Sequence, residues 1–369
     1  MTTKPLDIGV LGYRFMGKAH TNAFARLPMF FEDAPELNRE VLVGRDEAAL
    51  AEAADRLGFA RTATDWRDVV DDVDVFYNLG PNHIHAEPSI AALESGTPVF
   101  CEKPLAPTLE TAEQMAEAAA NTDVPAGIAF NYRFIPAIQY AKNLIDAGDL
   151  GNIRHFRGRY LQDWLIDPEE PWSWRNDEEM AGSGALGDLG AHTIDLARFL
   201  VGDIAEVSGH LRTFVDERPV EGSDETRPVT VDDAYSAQVA FENGVMGTLE
   251  ASRFANGHKN HHTIEIEGTK GSLRFSLERL NELELLHEDR RGFETILMTE
   301  AEDPYIEHWW PPGHVIGWEH TFVHENYEFI SAVDEDTVYE PSFADGLAVQ
   351  RVLNAVERSD SDGVWVEVR

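Results

Sequence analysis

A chain of 369 residues exceeds the size at which one hydrophobic core usually suffices, so two domains are expected. With 43% hydrophobic and 26% charged residues it reads as globular, and 30 basic against 67 acidic side chains, a formal charge of −37, leave no basic footprint for nucleic acid or an anionic membrane. Carboxylates at this density repel one another in dilute buffer and are screened within ~3 Å at molar salt, so the composition points to a halophilic protein of a salt-rich cytoplasm.

From the N-terminus the chain enters an apolar run without a basic, apolar leader, and its single cysteine, Cys101, has no intrachain disulfide partner; both agree with a cytoplasmic location. Apolar runs predict strands over 8–11, 40–43, 73–79, 98–101 and 126–130, alternating with helical patterns over 16–26, 47–57, 83–95 and 108–121. Strands that alternate with helices imply a parallel sheet covered on both faces, the doubly wound Rossmann arrangement.

After Tyr132-Arg133 the pattern changes. Helices are predicted over 136–147 and 186–200, then long alternating strands over 233–241, 245–254, 262–267 and 272–277, with Glu242-Asn243-Gly244 as a hairpin turn. The segment 217–230, rich in Pro, Glu and Gly, reads as a mobile loop. The expected fold class is α/β: a Rossmann domain over 1–131, followed over 132–369 by an α+β domain with a large, mainly antiparallel open sheet. One apolar face of that sheet needs a cover, which predicts a homodimer or homotetramer.

Ile8-Gly9-Val10-Leu11-Gly12-Tyr13-Arg14-Phe15-Met16-Gly17 reads as a dinucleotide-binding turn in which Arg14 stands at the middle glycine of G-x-G-x-x-G. A guanidinium there can donate to phosphate oxygens. At the end of the second strand, Gly44-Arg45-Asp46 replaces the carboxylate that usually holds the ribose hydroxyls; Arg45 suits a 2′-phosphate, which favours NADP over NAD, and Asp46 is the N-cap of the next helix.

Four motifs occur in order: this turn, Gly80-Pro81-Asn82-His83-Ile84-His85, Glu102-Lys103-Pro104, and Gly182-Ser183-Gly184-Ala185-Leu186-Gly187-Asp188-Leu189-Gly190-Ala191-His192. With them the chain resembles the Gfo/Idh/MocA family, the glucose–fructose oxidoreductases and inositol dehydrogenases. Gln162-Asp163-Trp164 and the Trp-rich segment Trp172-Ser173-Trp174-Arg175 are most similar to the levoglucosan dehydrogenase branch of that family. Two departures, Arg14 and Gly80 in place of a frequent threonine, touch cofactor contacts only.

The resemblance implies hydride transfer between a secondary alcohol of a sugar, anhydrosugar or cyclic polyol and NADP or NAD, with Lys103, Asp188 and His192 as the catalytic set. Residue chemistry agrees with it. Removing the hydroxyl proton needs a base that titrates near neutrality, His192, and Asp188 four residues earlier shares its helix face; Asp195 follows on the flank. An ammonium at Lys103, at the carboxyl edge of the sheet, can stabilise a developing alkoxide. The implied cofactor residues are Gly12, Arg14, Phe15, Met16, Arg45, Pro81, Asn82, His85, Glu102, Lys103, Asn131 and Arg175. The substrate wall is Tyr132, Arg133, Tyr160, Gln162 and Trp174 with Asp188 and His192, since aromatic faces pack on sugar C–H faces while amides and charges select hydroxyls.

Two other functions fit the same fold: an NAD-dependent redox glycosidase, and a non-catalytic cofactor-binding protein, against which the lysine, aspartate and histidine together count. No metal is expected. His258, His261 and His262 resemble a ligand cluster, but adjacent residues of a strand point to opposite faces, so a histidine lining the pocket is the better reading. His320 and His324, four apart on a helix, read as structural or interfacial.

Overall fold

The first apolar run folds as β1 (Leu6–Leu11), whose last four residues are buried. In the computed structural model, which describes residues 4–369, β1 lies inside a six-stranded parallel sheet with β2 (Leu37–Val43), β3 (Arg61–Ala63), β4 (Val75–Asn78), β5 (Val99–Cys101) and β6 (Ala126–Ile128), in the order β3-β2-β1-β4-β5-β6. Strand β3 is absent from the sequence reading because Arg61-Thr62-Ala63 carries no apolar alternation. Helices α1 (Phe15–Phe30), α2 (Glu47–Leu57), α3 (Ala86–Glu94) and α4 (Leu109–Ala120) make the crossovers. The order reverses between β1 and β4, so the loops leaving those two strands flank the crevice where such sheets bind ligands.

After the turn Asn131–Phe134 come α5 (Pro136–Asp146), β7 (Ile153–Leu161), α6 (Glu178–Ala181) and α7 (Ala191–Leu200). Strands β8 (Ile204–Arg212), β9 (Glu217–Pro219), β10 (Thr226–Pro228), β11 (Ala234–Phe241), β12 (Met246–Ser252), β13 (His261–Gly268), β14 (Gly271–Ser276), β15 (Glu282–His287) and β16 (Glu294–Leu297) follow. Segment 217–230 is not the open loop its composition suggests: β9 and β10 pair as a ribbon. The ribbon is pinned by the buried Arg218, which donates to the carbonyls of Leu165 (2.7 Å) and Asp167 (2.9 Å). The chain ends with α8 (Glu319–Glu335), α9 (Phe343–Asp362) and β17 (Val366–Glu367).

Nine strands form the second sheet, in the order β16-β15-β14-β13-β7-β12-β11-β8-β17, mixed because β7 and β12 run parallel while the other pairs are antiparallel. Along β11 the buried Tyr235, Ala237, Val239 and Phe241 alternate with exposed Ser236 and Gln238. The open face carries Arg157, Arg159, Ser236, Gln238, Thr248 and Glu250, all exposed, so the expectation of an apolar face needing a cover does not hold.

The chain divides into two units, one containing the residues up to Asn131 together with Gly317–Leu347, the other Tyr132–Ile316 with Ala348–Arg369. Gly317–Leu347, placed by the sequence pattern in the second domain, thus belongs with the first. The reason is packing: Phe322, Phe329 and Ile330 of α8 are buried, Phe329 lies 4.8 Å from the Phe100 ring, and the Ile128 N–H donates to Pro341 O at 3.0 Å. Helix α8 is amphipathic like any sheet-covering helix, and amphipathicity does not name the sheet it covers.

Candidate active site

In the first unit the turn after β1 depends on Gly12, which has φ 106° and whose added Cβ would stand 2.6 Å from Leu79 O. Arg14 has an ordinary φ of −84° at the N-cap of α1, so glycine is not demanded there. No side chain caps α1 and no acidic residue occupies its first turn, whereas α2 and α4 are capped by Asp46 and Thr108. An uncapped helix start beside an exposed arginine is suited to a pyrophosphate, and in this respect the residues fit a nicotinamide dinucleotide. Phe15, 63% exposed, stacks on Trp318 at 5.6 Å, and Met16 behind it is half-buried. Arg45 is exposed at the end of β2, where Asp46 caps α2 as the sequence predicts. Pro81 leads into the short turn Asn82–Ile84.

Three residues of the implied cofactor set, His85, Asn131 and Glu102, are occupied within this unit. His85 is fully buried, its Nδ1 3.0 Å from Pro104 O and its Nε2 3.0 Å from Gly80 O, and so ties two loops together instead of reaching outward. Asn131 is also buried and donates to Thr321 Oγ1 at 2.8 Å. Glu102 is buried against His20 (3.1 Å), and its second oxygen accepts the Lys103 N–H at 3.1 Å, anchoring the loop that leaves β5 with Lys103 half-buried at its start. His320 Nδ1 accepts from the Gly317 N–H at 3.1 Å, and His324 is fully buried beside Phe31.

In the second unit a π turn, Leu186–Gly190, precedes α7, a departure from the uninterrupted helix read from the sequence. Such turns re-aim side chains. Its start is held by the buried Asp232, which accepts from the Gly184 N–H (2.7 Å) and Leu186 N–H (2.9 Å), and only glycine fits at 184, since a Cβ there would stand 1.7 Å from Asp232 O. Asp188 lies in the π turn and His192 in the first turn of α7.

The His192 ring, 8% exposed, lies 4.5 Å from Tyr132 and 6.2 Å from Tyr160. The two tyrosine hydroxyls are 2.8 Å apart, Tyr160 donates to Asn260 Oδ1 (2.7 Å), Gln162 Nε2 donates to the same oxygen (2.8 Å), and Trp164 Nε1 donates to Gln162 Oε1 (2.9 Å). His262 stacks on Tyr160 at 4.5 Å and meets Thr193 Oγ1 at 3.1 Å; burial pushes its pKa down to about 3, so the ring is neutral. His261 turns to the opposite side and meets Glu278 (3.1 Å). Among the described residues no three His, Cys, Asp or Glu side chains converge as a metal set.

Arg133, expected on the wall, is instead taken by Asp195, with guanidinium contacts of 2.6 and 3.0 Å in a site nearly closed to solvent. Arg133 after Tyr132 and Arg175 after Trp174, each an arginine beside an aromatic, read alike in sequence; burial separates them. Arg175 lies over the Trp174 ring at 4.6 Å, and both are half-buried. Sequence reasoning missed Asp232, Asn260 and His20. Asp232-Asp233 before a strand was a usable signal, whereas a lone asparagine in Lys259-Asn260-His261 offered none.

A parallel sheet with an anion-accepting turn, and a second unit that gathers an imidazole, hydroxyls and amides, define a dinucleotide-dependent oxidoreductase. The chain belongs to the Gfo/Idh/MocA family: residues 6–130 match the oxidoreductase family with an NAD-binding Rossmann fold, and residues 138–274 match the GFO/IDH/MocA C-terminal domain. It is similar to levoglucosan dehydrogenase of Pseudarthrobacter phenanthrenivorans, 43% identical over 98% of each chain. The solved complex of levoglucosan dehydrogenase with NADH and levoglucosan superposes with a TM-score of 0.96, covering 99% of this chain and 100% of that one at 43% identity. An oxidoreductase domain protein from Kribbella flavida, 49% identical, superposes with a TM-score of 0.96 over 100% of both chains.

Proposed function

We propose that this chain is a nicotinamide-dependent dehydrogenase that oxidises a secondary hydroxyl of an anhydrosugar or related pyranose. The observation that carries the reading is the hydrogen-bonded wall Tyr132, Tyr160, Asn260 and Gln162 beside His192, in a chain similar from end to end to levoglucosan dehydrogenase. When bound, the nicotinamide supplies the hydride acceptor. His192 takes the hydroxyl proton, Asp188 orients the ring or holds the substrate, and Lys103 steadies the developing alkoxide. Tyr132, Tyr160 and His192 are buried, which keeps bulk water from the proton in transit. Trp174 and Arg175 complete the substrate and cofactor contacts.

Arg14 and Arg45 bear on the cofactor. Arg14 serves the pyrophosphate common to NAD and NADP, and Arg45 supports acceptance of NADP as well as NAD. The carboxylate surplus supports a salt-rich cytoplasm as the working medium. A homodimer or homotetramer through the open sheet face goes with the family resemblance, and a monomer mass by light scattering would remove it. No helix among the described residues is long and apolar enough to cross a membrane.

The test is a panel of levoglucosan, pyranoses and inositols with NAD and NADP in molar KCl. Reduced nicotinamide accumulating in proportion to turnover, with levoglucosan among the best substrates, is the expected result. His192→Ala should lower kcat by ~10²-fold or more while leaving cofactor affinity nearly unchanged. Release of aglycone from glycosides without net reduction would favour the redox glycosidase, and neither reaction would sink both readings.

A further inference from the structure

The chain of hydrogen bonds beside His192 has a direction, and the direction can be read from one end. The Trp164 indole Nε1 carries a hydrogen and no lone pair in the ring plane, so it can only donate. Its partner at 2.9 Å is therefore the Gln162 oxygen, which turns the Gln162 NH₂ toward Asn260 at 2.8 Å. An NH₂ needs an acceptor, so Asn260 presents Oδ1, and the same oxygen lies 2.7 Å from the Tyr160 hydroxyl, which must donate to it. Tyr160 has one proton. In the 2.8 Å contact between the two hydroxyls, Tyr132 is consequently the donor, and its single proton is spent as well.

We infer that Tyr132 meets any further group only as an acceptor, and that Trp164, Gln162 and Asn260 set this polarity and so determine which ligands the site accepts. The inference deepens the proposed function and rests on it for the identity of the ligand: beside His192, a sugar must offer an O–H to Tyr132, and a group that cannot donate is refused there. Burial supports the order of protons, since it holds the Tyr160 phenol well above its ordinary pKa and His262, stacked against it, stays neutral. The polarity begins at Trp164, which is 41% exposed, so a selectivity decision at a buried hydroxyl is anchored at the surface.

Inversion is the sharpest test. In Gln162→Glu the carboxylate still accepts from Trp164 but cannot donate to Asn260; the Asn260 amide turns, its NH₂ faces Glu and Tyr160, Tyr160 donates to Tyr132, and the Tyr132 proton is released toward the ligand. The measurement is kcat/KM for levoglucosan against its monodeoxyfluoro analogues at the hydroxyls not oxidised, because a C–F group cannot donate. One analogue should lose ~10-fold or more with the parent enzyme. With Gln162→Glu that same hydroxyl-to-fluorine ratio should fall by ~10-fold or more, a change that loosened packing would not produce. Gln162→Leu, which removes the donor to Asn260, and Trp164→Phe, which keeps an aromatic ring but removes the N–H, should each release the order of protons and bring the ratio toward unity. Ratios that are the same in parent and Gln162→Glu, with both folded by circular dichroism, would overturn the inference.

Neutron diffraction from deuterated crystals reads the polarity without any turnover: the Tyr132 deuteron should point at Tyr160 Oη, and a deuteron pointing away from it would overturn the assignment. Failure of every sugar to react while that deuteron points at Tyr160 would remove the dehydrogenase reading and leave the acceptor assignment standing.

Discussion

His20 Nε2 stands 3.1 Å from Glu102 Oε1, with both side chains sealed from solvent. The proton between them is assigned by a third residue. Asn326 Nδ2 donates to Phe322 O at 2.7 Å and faces His20 Nδ1 at 3.0 Å, so Nδ1 accepts, Nε2 carries the hydrogen, and a neutral imidazole donates to the Glu102 carboxylate. Glu102 in turn accepts the Lys103 N–H, which makes His20 a positioning residue for the lysine loop. His20→Phe keeps a ring but leaves a buried carboxylate without its donor, so it should cost ~1–3 kcal/mol of stability and lower kcat more than it raises KM. Urea unfolding and steady-state kinetics check it; an unchanged midpoint with unchanged kcat would remove the role.

Glu325, on α8, is fully buried, and neither carboxyl oxygen has a hydrogen-bond partner among the described residues. Burial, reinforced by the nearby Glu102 charge, raises its pKa well above the ordinary carboxylate value of 4.5. The folded state therefore keeps the proton while the unfolded state gives it up near 4.5, and the stability that this group contributes is present at low pH and lost as pH rises toward its folded value. Glu325→Gln should unfold at nearly the parent's temperature in acid and at a progressively higher temperature than the parent as pH increases. A difference in Tm that stays constant with pH would contradict the buried proton.

Arg133 and Asp195 close on each other in the interior, so the arginine acts on stability before it acts on substrate. Arg133→Leu should destabilise by ~3–5 kcal/mol because it strands the Asp195 charge, and the double variant with Asp195→Leu should recover most of that loss. If Arg133→Leu raised KM without moving the unfolding midpoint, the arginine would belong to the wall after all.

Arg14 and Arg45, both exposed in the first unit, can be separated by cofactor. Arg14→Gly should weaken NAD and NADP alike by up to ~1.5–3 kcal/mol, less where solvent screens the contact, because the pyrophosphate is common to both. Arg45→Ala should weaken NADP selectively, through the 2′-phosphate. The ratio of the two Kd values at one fixed salt decides: an unchanged ratio in Arg45→Ala removes the NADP assignment, and tighter binding of both by Arg14→Gly makes that arginine an obstacle.

With a formal charge of −37, the fold should gain thermal stability as KCl rises from dilute to molar, since screening relieves carboxylate repulsion. A Tm that is flat or falls across that range would remove the halophilic reading.

Local chemistry made much of this protein legible. Apolar alternation marks strands wherever the run is long enough, Asp46 announces its helix, Glu242-Asn243-Gly244 announces its hairpin, and the order of the four motifs names the family, because each is a property of neighbours in sequence. What only the fold decided depends on partners distant along the chain. Helix α8 looks like any amphipathic helix until Phe329 meets Phe100 and Pro341 meets Ile128, which assigns it to the first unit. Arg133 looks like a sugar ligand until Asp195, 62 positions later, takes its guanidinium. Segment 217–230 looks mobile until Arg218 reaches the carbonyls around 165–170. In each case burial forced a polar or apolar group to find a partner, and the sequence states the need for a partner without stating which one satisfies it.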